Sequence, residues 1–274
     1  MSTKSKKKPL LIVLGILLAL ICVLVGTCVF FSVKNNKLIY EMIGDGLSQV
    51  AEHYTVTECD AAAQPDKYTD EYKDMRIYGF MKFHTYQYEI EGLGNLSVMR
   101  ANMGFMQMVS FMITPYEKNV PLCTLDFMYI FGNRKSYVEF YDLVGDTETD
   151  EYKTVLSQLG SLKELFADLE ELPASENWYD GLLSVVLHKQ LKDDTRNSEL
   201  FGTALGMYLN AADNLSESSA EDKAAQLANT KAYSDGLIEK GGVSTDVFKK
   251  ALGEDKTRDF FDRVFFGSAN YSAS

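Results

Sequence analysis

Residues Pro9 to Val33, PLLIVLGILLALICVLVGTCVFFSV, are 25 consecutive positions without a charged side chain. As a helix rising about 1.5 Å per residue the run reaches roughly 37 Å, more than the ~30 Å hydrocarbon core of a bilayer, so it spans a membrane with some tilt. The preceding flank MSTKSKKK carries Lys4, Lys6, Lys7 and Lys8, and juxtamembrane basic residues resist translocation. These features predict residues 1–8 as a cytoplasmic flank, 9–33 as a signal anchor and 34–274 as an extracytoplasmic globular domain of a single-pass cell-membrane protein. Lys34 and Lys37 on the far side pull weakly against that orientation. Two other readings compete. Val25-Gly26-Thr27-Cys28 imitates a lipobox, although Thr precedes the cysteine and the apolar run continues through Phe31. A cleaved secretory signal has a shorter apolar core, ~7 to 15 residues, ending in small residues.

Beyond the lysine flank the chain holds 23 basic against 39 acidic side chains, a formal charge of −16. Such a surface repels phosphate backbones and argues against nucleic-acid binding. Aromatic residues at 12% beside 24% charged residues supply enough apolar area for a cooperative core. Cys22 and Cys28 lie inside the apolar run, leaving Cys59 and Cys123 for the domain. Without a C-x-x-C pair or a Cys/His cluster, no metal site is expected. The two domain cysteines read either as a disulfide or as a buried residue in PLCTLDF and an exposed thiol beside Glu58.

After the anchor, Leu38, Ile39, Met42, Ile43, Leu47, Val50 and Ala51 recur at helical spacing, predicting an amphipathic helix packed on the domain. ECDAAAQPDKYTDEYKD reads as an exposed connection. From Met75 to Leu143 Tyr, Phe, Met, Val and Ile are interrupted by Gly and Pro turn signals, predicting antiparallel strands at MRIYGFMKFHT, YQYEIEG, LSVMRANM, GFMQMVSFMIT, LCTLDFMYIFG and SYVEFYDLV. Past Gly145 the pattern predicts helices at YKTVLSQLGSLKELFADLEEL, ENWYDGLLSVVLHKQL, SELFGTALGMYLNAAD, SAEDKAAQLANTKAYSDGLIEK, STDVFKKAL and EDKTRDFFDRVFF. Strands followed by helices define an α+β fold with a mainly antiparallel sheet.

No nucleotide-binding glycine motif, H-E-x-x-H or G-x-S-x-G occurs, and His53, His84 and His188 are the only histidines. The methionines Met103, Met106, Met108 and Met112 offer adaptable contacts, either for core packing or for lining a ligand cavity. Asp126 is the most informative polar residue, because it interrupts LCTLDFMYI, a strand otherwise apolar on both faces. There a carboxylate is paired, solvated from a cleft, or kept protonated by desolvation, and any of these can poise it for proton transfer.

From Leu93 to Val144 the order of strand, Pro115, short loop, Pro121, Asp126 and two strands resembles the ferredoxin-dependent bilin reductase superfamily, which includes red chlorophyll catabolite reductase. GGVSTDVFKKALGEDKTRDFFDRVFFG is similar to that family's closing pattern of short helices and an aromatic pair. The resemblance implies an α/β/α sandwich with an open tetrapyrrole bound between a central antiparallel sheet and the C-terminal helices. It also implies reduction with electrons from an external redox protein and protons from carboxylates, without a bound metal or organic cofactor. By motif position Asp126 matches the catalytic aspartate. One strand earlier, where relatives carry His, Asn or Glu, GFMQMVSFMITP presents Val109 and Ser110, with Gln107 the nearest amide. Substrate contacts are expected from Gln107, Ser110, Met108 and Met112, and a second acidic group from Asp213 or Asp222. Ferredoxins are acidic and cytoplasmic, which sets both charge and compartment of this domain against that donor. The sequence thus carries two functional readings: a membrane-anchored protein that binds and reduces a linear tetrapyrrole or similar conjugated ligand, and a non-enzymatic extracytoplasmic interaction module.

Overall fold

The computed structural model describes residues 7–174, 176–242 and 244–271; Lys4 and Lys6 of the basic flank lie outside the described residues. The apolar run and the amphipathic stretch form one unbroken helix, α1 (Lys7–His53). Ile12 through Gly26 are exposed throughout. By length and composition this part of α1 can cross a membrane. From Phe31 onward the helix lies on the domain, burying Ile39, Met42, Ile43 and Val50 in its main core.

The strands are β1 (Val56–Glu58), β2 (Asp74–Ile77), β3 (Met81–Ile90), β4 (Gly94–Asn102), β5 (Met106–Pro115), β6 (Leu122–Ile130) and β7 (Asn133–Tyr141). After α2 (Asp150–Gly160) and α3 (Leu162–Leu165) come β8 (Glu170–Glu171) and β9 (Leu183–Leu191). The chain then turns helical in α4 (Asp194–Asp213), α5 (Ala220–Lys240), α6 (Thr245–Leu252) and α7 (Glu254–Phe260), the last continuing into a π-turn, Phe261–Phe265. Polar N-caps start three of these helices: Thr149, Asp193 and Ser219 each accept backbone N–H groups of the first turn.

All strands join one antiparallel sheet in the order β1-β3-β4-β5-β6-β7-β9-β8, with β2 on the remaining half of β3. Alternation of side chains gives it two buried faces. On one, Val98, Phe111, Leu125, Val138 and Leu187 pack under α1, α2 and α4. On the other, Phe83, Met99, Met112, Leu122 and Tyr141 meet Tyr233, Leu237, Phe248 and Phe260 of α5, α6 and α7. The result is the expected α+β fold, a helix–sheet–helix sandwich.

Two expectations are corrected, and the open choice between a disulfide and two separate cysteines falls to the second. MRIYGFMKFHT is not one strand: Tyr78 and Gly79 both take positive φ and fold it into the β2–β3 hairpin, while the second half runs through YQYEI as β3. LLSVVLHKQL is β9, not a helix, and His188 therefore stands on a strand. Its Val185, Leu187, Lys189 and Leu191 alternate inward with period two, which short Leu/Val runs share with helical spacing. Cys59 and Cys123 are free and separated by four strand spacings, roughly 19 Å, so they cannot pair. Cys123 is buried under the helices, and burial pushes the half-buried Cys59 thiol up to about 11.

The hairpin tips at 78–80, 103–105 and 131–132 share one end of the sheet with the start of α4. Here α1 enters the domain: Phe31 rests edge-on against Phe131, Asn35 donates to the Phe131 carbonyl at 3.2 Å, and Lys34 pairs with Asp194 at 2.8 Å. This end is proximal to the apolar part of α1. The opposite, distal end carries the turn at 91–93 and His53, which pairs with Asp213.

Candidate functional site

Register places Asp126 in a row that crosses the face beneath the C-terminal helices: Thr85, Met99, Ser110, Asp126, Tyr137 and His188 stand on successive strands. The neighbouring row is Gln87, Ser97, Met112, Thr124, Glu139 and Val186. Desolvation raises the Asp126 carboxyl from 3.8 to about 7; the facing Ser110 hydroxyl opposes the rise and the Glu139 charge adds to it. The residue keeps one half-open edge, while its Oδ1 is shielded from solvent and has no hydrogen-bond partner.

That orphan atom has company. The hydroxyls of Thr85, Ser97, Thr114 and Thr124, on the same face of the sheet, are also buried without partners among the described residues. Each unsatisfied buried polar group costs about 1–3 kcal/mol. These groups lie sealed between the sheet and the C-terminal helices, Ser97 and Thr114 with no exposure at all.

Beside Asp126, Glu139 Oε1 lies 2.7 Å from His188 Nε2, and Tyr141 donates to Glu139 Oε2 at 2.6 Å. Tyr137 packs edge-on to the His188 ring, with centroids 5.0 Å apart. An aromatic wall faces this group: Tyr141 and Tyr233 are 5.0 Å apart, and Tyr179 and Trp178 close on Tyr233 at 6.0 and 5.9 Å. Trp178 is fixed by its Nε1 donating to the Gly241 carbonyl at 2.8 Å. Burial first, then the Glu139, Asp180 and Asp126 charges, push the Tyr179 phenol up to about 12. The Tyr233 phenol is likewise raised, chiefly by desolvation, with Glu139 and Asp126 contributing. Two carboxyl groups, an imidazole and several phenols thus share one water-poor surface beside broad aromatic faces.

Of the residues singled out by sequence, the structure unites Asp126, Ser110, Met108 and Met112 on this face. Met108 is half-buried at the floor, whereas Met112 is sealed beneath the C-terminal helices. Gln107 belongs to the opposite face, fully buried, where its Oε1 accepts from Asn35 of α1 at 3.0 Å and its Nε2 donates to the Gly104 carbonyl at 2.7 Å. Val109 also points to that side, into the main core. Asp213 ends α4 against His53, and Asp222 accepts from Ser219 at the start of α5; neither joins Asp126. Glu139, His188 and the tyrosines are what sequence reasoning missed. The alternation in SYVEFY could have found Tyr137, Glu139 and Tyr141 together, but His188 was out of reach once its strand was read as a helix. Among the described residues no three His, Cys, Asp or Glu side chains gather as a metal ion requires. A recess of about 380 Å³ at the distal end, lined by Glu89, Glu91, Glu117, Glu217, Lys118 and Tyr271, is remote from Asp126 and has no part in this site.

A central, mainly antiparallel sheet with helices on both faces is consistent with a bilin-reductase-like fold. The chain superposes on phytochromobilin synthase from tomato, crystallised as the selenomethionine protein in complex with biliverdin, with a TM-score of 0.66 over 84% of this chain and 83% of that one. At 14% identity the likeness is one of fold. No family model matches the sequence, and no curated protein matches it.

Proposed function

We propose that the domain binds a linear tetrapyrrole, or a similarly extended acid-bearing conjugated ligand, on the Asp126 face, and that α1 anchors it in the cell membrane with the N-terminus cytoplasmic and the domain extracytoplasmic. The observation that carries the ligand reading is the half-buried Asp126, with a shielded, unpartnered Oδ1 and a carboxyl raised to about 7, on the face between sheet and C-terminal helices. The tomato protein of the same fold was crystallised with biliverdin. Flat aromatic walls suit a conjugated ligand.

Reduction of one ligand double bond takes two electrons and two protons. The electrons arrive singly from an external redox protein. Asp126, whose carboxyl is about half protonated at neutral pH, delivers one proton and is recharged from the half-open edge; solvent or the Glu139–His188 pair supplies the second. Ser110, at the position where bilin reductases carry a proton donor or amide, supports the narrower alternative of binding without reduction, which makes the domain an extracytoplasmic interaction module.

Mixing the protein with biliverdin and recording the visible spectrum tests the binding step. A shifted and intensified long-wavelength band is expected; unchanged absorption at tens of micromolar protein would sink the proposal. With an electron donor supplied, Asp126→Asn should slow turnover by about 10²- to 10⁴-fold while pigment affinity changes little. Binding by the parent protein without any turnover selects the interaction module.

A further inference from the structure

Exposed aromatic side chains collect where α1 leaves the domain. Tyr78 and Phe80 are 56% and 60% exposed at the tip of the β2–β3 hairpin, and Phe105 is 48% exposed at the β4–β5 tip. Phe105 and Phe131 approach to 6.5 Å, Phe131 and Phe31 to 5.9 Å, and Phe31 and Phe30 to 5.3 Å, so a continuous aromatic ladder joins the hairpin tip to the apolar part of α1. Tyr78 and Phe131 are also the positive-φ non-glycine residues of the described chain, at +51° and +52°. Bulky side chains in that conformation are uncommon and costly, and such strain tends to persist where it serves a function. Arg76 and Lys82, both exposed, flank the Tyr78–Phe80 tip.

The distal end has the opposite character. Its turns and helix ends present Glu91, Asp146, Glu148, Asp213 and Glu217 to solvent, and no exposed large apolar side chain is found in its turns among the described residues. Among the described residues the two ends differ in exposed aromatic side chains, which stand in the proximal tips and not in the distal turns. Aromatic side chains with basic neighbours are characteristic of the headgroup zone of a membrane.

We infer that the proximal end of the sheet is a lipid-docking surface, with the tips at Tyr78–Phe80 and Phe105 seated in the headgroup region of the bilayer that α1 crosses. The domain then stands end-on, with its sheet held against the membrane rather than swinging on α1, and the Asp126 face opens sideways along the membrane surface. The occupant is the lipid interface itself, because the ladder from Phe105 runs unbroken into the span. The inference rests on α1 spanning a bilayer.

The test uses the full chain in nanodiscs prepared with brominated phosphatidylcholine, which quenches nearby indoles. Four single variants, Phe80→Trp, Phe105→Trp, Leu18→Trp and Glu148→Trp, are compared after subtraction of the emission of Trp178. The indoles introduced at 80 and 105 are expected to be quenched at least half as strongly as that at 18, with blue-shifted emission, while that at 148 is unquenched. Quenching at 18 with none at 80 and 105 overturns the docking surface and leaves the anchor standing, including the case in which those positions are blue-shifted because a protein covers them. Absence of quenching at 18 overturns the anchor itself, and the docking surface with it.

Discussion

At the scale of single residues the site turns on Asp126, whose carboxyl is raised from 3.8 to about 7 chiefly by desolvation. Between those two values the folded protein holds a proton that the unfolded chain releases. The contribution to stability is therefore complete at acidic pH and is lost as pH rises through about 7. Asp126→Asn keeps the shape and removes the titration. Its stability relative to the parent should rise by on the order of 2 kcal/mol between pH 5 and pH 8, once the half-open edge is allowed for. Urea unfolding at the two pH values reads the difference directly. A constant difference would mean that Asp126 is charged and solvated, and the acid role would fall with it.

Among elements, α1 carries the most consequence, because one unbroken helix holds both the exposed apolar run and the stretch packed on the sheet. Gly46 lets it approach the sheet: a Cβ built there would lie 2.8 Å from Phe201 Cζ and 3.0 Å from Phe111 Cε2. Gly44, two residues away, has nothing within 4 Å. Gly46→Val should destabilise the domain by about 1–3 kcal/mol through overpacking. Gly44→Ala should stabilise it by roughly 0.5–1 kcal/mol through helix propensity alone. Chemical denaturation of the pair tests whether the helix is seated as described; equal effects would place Gly46 away from Phe201. In β9, Lys189 is 2% exposed and bonds Glu171 Oε1 at 2.5 Å, so the short β8 exists at least partly to cover a buried cation at the sheet edge.

For the whole molecule, the domain and the apolar part of α1 are separable in energy though continuous in backbone. Side chains from Ile12 to Gly26 are exposed and do not pack on the domain. Packing begins with Phe31 on Phe131, Lys34 on Asp194 and Asn35 on Gln107. Removing residues 1–29 should leave the unfolding temperature within a degree or two of the parent. Removing residues 1–36 should lower it by several degrees, since Arg134, 1% exposed, shares Asp194 with Lys34 and the Asn35–Gln107 bond is lost. Calorimetry of both truncations checks this. A large loss from the shorter cut would show that the domain depends on its apolar helix.

What sequence alone determined are the features set by local chemistry. Twenty-five uncharged residues can form little but a membrane-length helix, and enrichment in Tyr, Phe, Met, Val and Ile between Gly and Pro breaks placed four of the central strands, β4 to β7, to within two or three residues at each end. The isolated Asp126 in an apolar strand was legible as a site because a lone carboxylate there has few physical explanations. Tertiary structure decided the rest. Whether LLSVVLHKQL is helix or strand depends on a free β7 edge, which is invisible locally. Gln107 and Ser110 are three residues apart, and only strand geometry sends one to α1 and the other to Asp126. The Glu139–His188 pair joins residues 49 apart through register, and the proximal aromatic ladder joins two hairpin tips and a helix only because the sheet brings them to one end. Periodicity records which side of an element is buried, but not against what, and the partner is the information that chemistry at a site requires.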